Sequence, residues 1–250
     1  MSPYHLRIRL LVVLIITALG GFRAWSADRL DPPMPSSRAD RTFLYSGGDF
    51  NSFNSYFAYV GGTFAPFGQD ASGLRVGGFA GAGSYEYETT SRIRSTGKFS
   101  TADGMIGWGI VTEKTNTKFM IGANIQDQIL SRPDPTNPVQ GTKTGFKAQI
   151  DTYMNPTSST MMFALGSYST AFRTYYSEMK FGIAVLNDVD VFVGPQFIAL
   201  GNQRFDQWRV GLHLTGMHLG LINVGIAGGY LHESDLGSGA YGMISANVRF

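Results

Sequence analysis

The chain has 250 residues, 20 basic and 18 acidic side chains, a formal net charge of +2 and no cysteine. The missing thiols exclude a disulfide framework, a thiolate metal site and a cysteine nucleophile. Three of the basic residues, Arg7, Arg9 and Arg23, stand in the first 26 positions beside no acid, so the remainder is near neutrality and lacks the basic footprint of a nucleic-acid binder.

In chain order, a basic start (MSPYHLRIR) leads into an apolar run at residues 10–22, and small residues follow at Ala24, Ser26 and Ala27. That order predicts a secretory signal peptide over residues 1–26. The alternative, an uncleaved anchor, is disfavoured because a spanning helix needs about 20 apolar residues. Residues 27–41 are polar and Pro-rich and predict an extended leader.

From Thr42 onward no segment has a helical period. Short alternating runs recur instead, separated by turn residues, and predict strands at 42–50, 55–66, 74–87, 99–112, 118–129, 142–153, 161–169, 174–185, 189–201, 205–216, 221–231 and 240–250. Alternation assigns each strand two faces. Phe119, Ile121 and Ile125 oppose Asn124, Gln126 and Gln128; Phe146 and Ile150 oppose Lys147 and Asp151. Met179, Phe181 and Ile183 oppose Glu178 and Lys180; Val189, Val191 and Val193 face away from Asp190. Trp208, Val210 and Leu212 oppose Arg209 and His213, and in the final AYGMISANVRF run Phe250, Val248 and Ile244 oppose Arg249.

Two arrangements fit such a pattern: a soluble periplasmic all-β sandwich and a membrane barrel. A barrel averages to neutral hydropathy because only alternate residues face lipid, and the mean hydropathy is −0.03. The 32 glycines suit a curved sheet. The polar faces mix both charge signs while the opposite faces are nearly free of charge, as a lumen and a hydrocarbon-facing band require. The predicted fold over residues 42–250 is therefore an all-β transmembrane antiparallel β-barrel of the bacterial outer membrane, about 12 strands. Tyr and Phe in YFAYVGGTFAPF, YEY and TYY are expected in interfacial girdles, and Phe250 on the lipid side. A terminal aromatic of this kind resembles the signal read by outer-membrane assembly machinery.

Connection lengths give a second test. With both termini periplasmic, the long stretches at residues 130–141 and 89–98 face outward, and EKTNT and LND face inward and are short. FGQDASG and NPTSST break the trend as longish inward turns.

The stretches Gly194–Gly216 (GPQFIALGNQRFDQWRVGLHLTG), Ser55–Gly68 (SYFAYVGGTFAPFG) and Leu231–Gly242 (LHESDLGSGAYG) resemble the cellulose biosynthesis protein BcsS family, with a likeness over residues 43–250. That resemblance implies an exported accessory of bacterial cellulose synthesis and carries no catalytic residues over.

The candidate lumen network comprises Lys147, Asp151, Glu178, Lys180, Asp190, Arg209, His213 and Arg249, paired structurally or facing a solute. Beyond the first 26 residues, histidine occurs only at 213, 218 and 232. The HESD run from His232 to Asp235 gathers relay-type residues, but consecutive positions diverge, whereas a relay needs hydrogen-bond reach. No G-x-S-x-G elbow is present, no ligand cluster calls for a metal, and no cofactor is expected. The expected function is a non-enzymatic outer-membrane accessory of cellulose or exopolysaccharide biosynthesis or export, structural or porin-like. Its expected partners are outer-membrane lipid, the barrel-assembly machinery, and cellulose or cellulose-synthase components. The alternative is a lipid-modifying enzyme, phospholipase or lipid A hydrolase in type, using His213 or His232 with a nearby Ser.

Overall fold

The computed structural model describes residues 40–89, 93–186 and 189–250, except the side chains of residues 186, 189 and 190. The predicted signal peptide and nearly all of the leader lie outside the described residues. Twelve strands follow one another: β1 (Thr42–Asn51), β2 (Tyr56–Phe64), β3 (Gly73–Glu88), β4 (Arg94–Val111), β5 (Thr115–Leu130), β6 (Gly141–Thr157), β7 (Thr160–Ser169), β8 (Tyr175–Leu186), β9 (Val189–Gly201), β10 (Asp206–Leu219), β11 (Ile222–Glu233) and β12 (Gly237–Arg249). Each pairs antiparallel with its chain neighbours, and β12 pairs β1, so the sheet is a closed barrel. Closure removes both sheet edges, leaving no row of unpaired backbone groups. The seam is completed where Thr42 N–H donates to Phe250 O and Phe250 N–H donates back to Thr42 O, at 2.8 and 3.0 Å.

Side-chain alternation sorts the residues as expected. Ile121, Ile183, Leu212, Ile244 and Phe250 stand outside, between half and two-thirds exposed, while Asn124, Gln126, Glu178 and Arg209 are buried inside. Among the described residues, the acidic, basic and imidazole side chains on outward strand positions (Glu86, Glu88, Arg94, Lys98, Asp127, Asp206 and His232) belong to strand ends nearest the longest connection. The middle of the exterior is uncharged, as contact with hydrocarbon demands.

Two expectations are corrected. NPTSST is no long turn: β6 and β7 extend through it and leave only residues 158–159 between them. The aromatic clusters split between the faces. Tyr56, Phe64 and Phe67 are exposed outside, but Phe57, Tyr59, Tyr85 and Tyr87 share the parity of the lumen. A girdle reading based on proximity to strand ends ignores parity, and in a strand parity decides direction.

Candidate functional site: the barrel lumen

The lumen has two unlike walls. On β1–β4, inward positions carry Phe43, Tyr45, Phe57, Tyr59, Phe79, Phe99, Tyr85 and Tyr87. Each ring lies 5.2–6.4 Å from the next, centroid to centroid, in an unbroken series from the turn end to the loop end. Glycine places these rings. Tyr45 sits opposite Gly61, Tyr59 opposite Gly47, Phe99 opposite Gly83 and Tyr85 opposite Gly97. A Cβ at any of these glycines would come within 2.3–2.8 Å of the facing ring. With hydrogen in that position the ring folds down along the wall, a cross-strand device that also shields the glycine backbone.

The wall from β5 to β11 is mostly polar, and its side chains bond to one another. Asn124 donates to Thr101 Oγ1 and Ala102 O and accepts from Ser169 Oγ and Gln126 Nε2, at 2.7–3.0 Å. Glu178 accepts from Gln196 Nε2 (2.5 Å), Lys180 Nζ (2.8 Å) and Tyr176 Oη (3.0 Å). Arg209 donates through Nε to Gln207 Oε1 at 2.6 Å, and Gln207 Nε2 donates to Glu233 Oε2 at 2.6 Å.

Charge joins the walls. The acids Asp49 and Asp103 belong to the aromatic wall and their cations to the polar one: Arg209 Nη1 pairs Asp49, and Lys147 Nζ meets Asp103 Oδ2 at 2.5 Å. Lys147 also lies 5.1 Å above the Phe79 ring, and Arg209 lies 5.2 Å from that of Tyr241. The two cations are thus also set over rings, whereas Asp103 Oδ1 is buried without a hydrogen-bond partner among the described residues.

Both ends are covered. At the turn end, residues 65–72, the other exception to short inward turns, fold across the opening. Arg75, fully buried, donates to the carbonyls of Gly73, Leu74, Gln69 and Ala71. Asn116 of β5 donates to Gln69 O at 3.2 Å, and Gln69 Nε2 donates to Arg41 O at 3.0 Å. The connection is long because it spans the mouth. At the loop end, Asn137 and Val139 from residues 131–140 are buried beside Tyr87 and Phe205, and Phe172 of the 3₁₀ turn Ala171–Arg173 is buried too. Gln203 N–H donates to Phe172 O at 3.1 Å, and Arg204 reaches Glu88 O at 2.8 Å.

The sequence-predicted residues fall as follows. Lys147, Asp151, Glu178, Lys180, Arg209 and His213 occupy inward positions on the polar wall, where Lys118 pairs Asp151 at 3.1 Å. His213 does not join Arg209; its ring bonds Thr215 Oγ1 (2.7 Å) and Phe181 O (3.1 Å). Arg249 reaches the turn-end rim instead of the network, pairing Asp70 at 3.3 Å with both side chains substantially exposed. Asp190 falls on β9, but its side chain lies outside the described residues. Sequence reading missed Asp49, Asp103, Gln196 and Arg75. The only available signal was their parity, in step with lumen-facing neighbours in Gly-rich strands whose alternation is faint.

The HESD residues diverge: Glu233 points inward and bonds Gln207, while His232 points outward. There His232 Nδ1 comes within 3.3 Å of Ser238 Oγ, which also meets Tyr230 Oη at 2.6 Å, with the Trp208 ring tilted beside the imidazole at 5.8 Å. Among the described residues no three His, Asp or Glu side chains gather as a metal site would.

Solved structures similar to this chain include three barrels. They are a KdgM porin (9% identity, TM-score 0.44, covering 83% of this chain and 99% of that one), LpxR from Salmonella typhimurium (9%, 0.47, 84% and 100%) and the translocator domain of autotransporter NalP from Neisseria meningitidis (11%, 0.44, 84% and 88%). No curated protein matches the sequence. The family model described as cellulose biosynthesis protein BcsS matches residues 43–250. That span takes in all but the first residue of the barrel, and the chain belongs to this family.

Proposed function

We propose that the chain is a bacterial outer-membrane accessory of cellulose or exopolysaccharide biosynthesis, acting without catalysis and without a standing aqueous pore. Family membership supports the link to cellulose, and the uncharged exterior supports the membrane. The observation that carries the absence of a pore is the covering of both mouths, with Arg75 holding the turn end. In this reading Phe250, exposed beside the closing seam, engages the assembly machinery, and the loop end meets cellulose or cellulose-synthase components.

Two measurements test the proposal. Deleting the gene lowers cell-associated cellulose, assayed as glucose released by cellulase. In planar bilayers the purified protein shows no steady conductance, whereas Arg75→Ala, which frees residues 65–72, produces channel openings. Unchanged cellulose ends the accessory role; a steady wild-type conductance ends the closed-lumen reading.

One observation favours a second reading, a lipid-modifying enzyme. His232 and Ser238 stand within hydrogen-bond reach on the outward face, beside the exposed ring of Trp208. A working dyad requires a group that orients the base and donors for an oxyanion, and the neighbour found here, Tyr230, bonds the serine. Ser238→Ala and His232→Ala separate the readings: phospholipid and lipid A profiles unchanged by either variant dismiss the enzyme.

A further inference from the structure

We propose that the outer face of β3 and β4 is the contact surface of a homodimer. Two copies of this chain stand side by side in the membrane, related by a two-fold axis along its normal. The proposal needs only the barrel and its membrane and is independent of the accessory role.

The charges on this face are complementary to themselves. Toward the loop end the outward positions of β3 carry acids, Glu86 and Glu88, and those of β4 carry bases, Arg94 and Lys98. Glu88 is level with Arg94, and Lys98 is level with Ser84. After half a turn about an axis between the two strands, β3 of one copy meets β4 of the other, acid against base. That is the isologous geometry of a two-fold dimer. Within one chain these charges are loosely engaged: Arg94 and Glu86 stand 3.8 Å apart, and the Arg94 side chain is 69% exposed. An anionic lipid headgroup would be met by bases on both strands, and the acids of β3 oppose it.

The surface below these charges is shaped for close approach. Around β5–β11 the outward positions carry large apolar groups such as Ile121, Phe146, Phe181, Phe197 and Leu212. On β3 and β4 large groups stop at the registered pair Val76 and Ile106. Above it, Gly78 lies opposite Gly104 and Ala80 opposite Ala102. Nothing within the chain requires the two glycines. Neither has a positive φ, and no bulge interrupts the ladders of β4 with β3 and β5. A Cβ at Gly104 would meet nothing within 4 Å, and one at Gly78 nothing nearer than 3.7 Å. Gly83 and Gly97, by contrast, make room for rings. Glycine weakens a strand interior and marks a bulge, a bend or the close approach of another backbone. Here the last applies, with the Gly78–Gly104 pair nearest the axis. Van der Waals contact drives association in lipid, and small residues permit it.

The test uses the purified barrel in detergent and the native outer membrane. Sedimentation in density-matched detergent gives twice the protein mass of one chain. Because the chain has no cysteine, introduced thiols report position cleanly. Ser100→Cys, outward on β4, yields a disulfide-linked dimer on mild oxidation of membranes, while Ser177→Cys, outward on β8 and away from this face, does not. Gly104→Leu adds a side chain where the chain itself has room, and the mass falls to that of one chain. Heat-modifiable gel mobility confirms that each variant is folded; where one is not, the charge variants decide. Glu86→Lys with Glu88→Lys, and Arg94→Glu with Lys98→Glu, each give monomers alone. Mixed during refolding they pair, because one face is then wholly basic and the other wholly acidic. A wild type of single-chain mass without Ser100→Cys cross-links, equal cross-linking of Ser177→Cys, or a persistent dimer in folded Gly104→Leu overturns the proposal. Failure of the mixed charge variants to pair also overturns it and leaves the face to lipid.

Discussion

The two walls of the lumen are built on opposite principles. On β1–β4 side chains meet as aromatic rings, some stacked and others tilted, and what positions them is the absence of a Cβ on the facing strand. On β5–β11 they touch by hydrogen bonds, and what positions them is the pairing of most buried donors and acceptors with one another. The Arg209–Asp49 and Lys147–Asp103 pairs tie the two walls together.

The largest expected effect comes from cutting such a tie. Asp49→Ala leaves the Arg209 guanidinium buried without its carboxylate, and stability against urea falls by about 3–5 kcal/mol. The double variant Asp49→Ala with Arg209→Met recovers most of that loss, because no uncompensated charge remains. If the single variant is as stable as wild type, the walls are held by backbone pairing alone.

A smaller effect tests the glycine device. In Gly97→Ala the new methyl meets the Tyr85 ring, which must lift from the wall, and overpacking of this kind costs about 1–3 kcal/mol. The companion Gly78→Ala, whose Cβ meets nothing nearer than 3.7 Å, leaves stability nearly unchanged. Equal denaturation midpoints for the two would remove the reason given for the flat rings.

The smallest effect belongs to the rim. Arg249→Ala removes a pair whose side chains are 48% and 76% exposed, so the loss stays below about 1 kcal/mol and shrinks further in high salt. A larger loss in the same urea titration would show Arg249 belonging to the polar wall after all.

Much of this molecule was legible in the sequence because the information is local. Alternation at Phe119–Gln128 or Trp208–His213 assigns an inside and an outside without knowledge of any partner strand, and twelve such segments are twelve strands. The greatest displacement of a predicted strand start was at β4, which begins at Arg94 instead of residue 99; its polar first turn of sequence resembles a loop but is held in the ladder opposite β3. The lumen site was half legible. Lys147, Glu178 and Arg209 stood out as charges on a polar face, but their acidic partners did not.

What the sequence determined by itself is the direction of each side chain, since a strand has a period of two. What only the tertiary structure decided is which inward side chains meet. Asp49 and Arg209 are 160 positions apart and come together through closure of β12 on β1. Tyr85 lies on Gly97 through the β3–β4 register. Register and closure are cooperative properties of the whole cylinder, set where all twelve ladders are satisfied at once, and no single strand carries them.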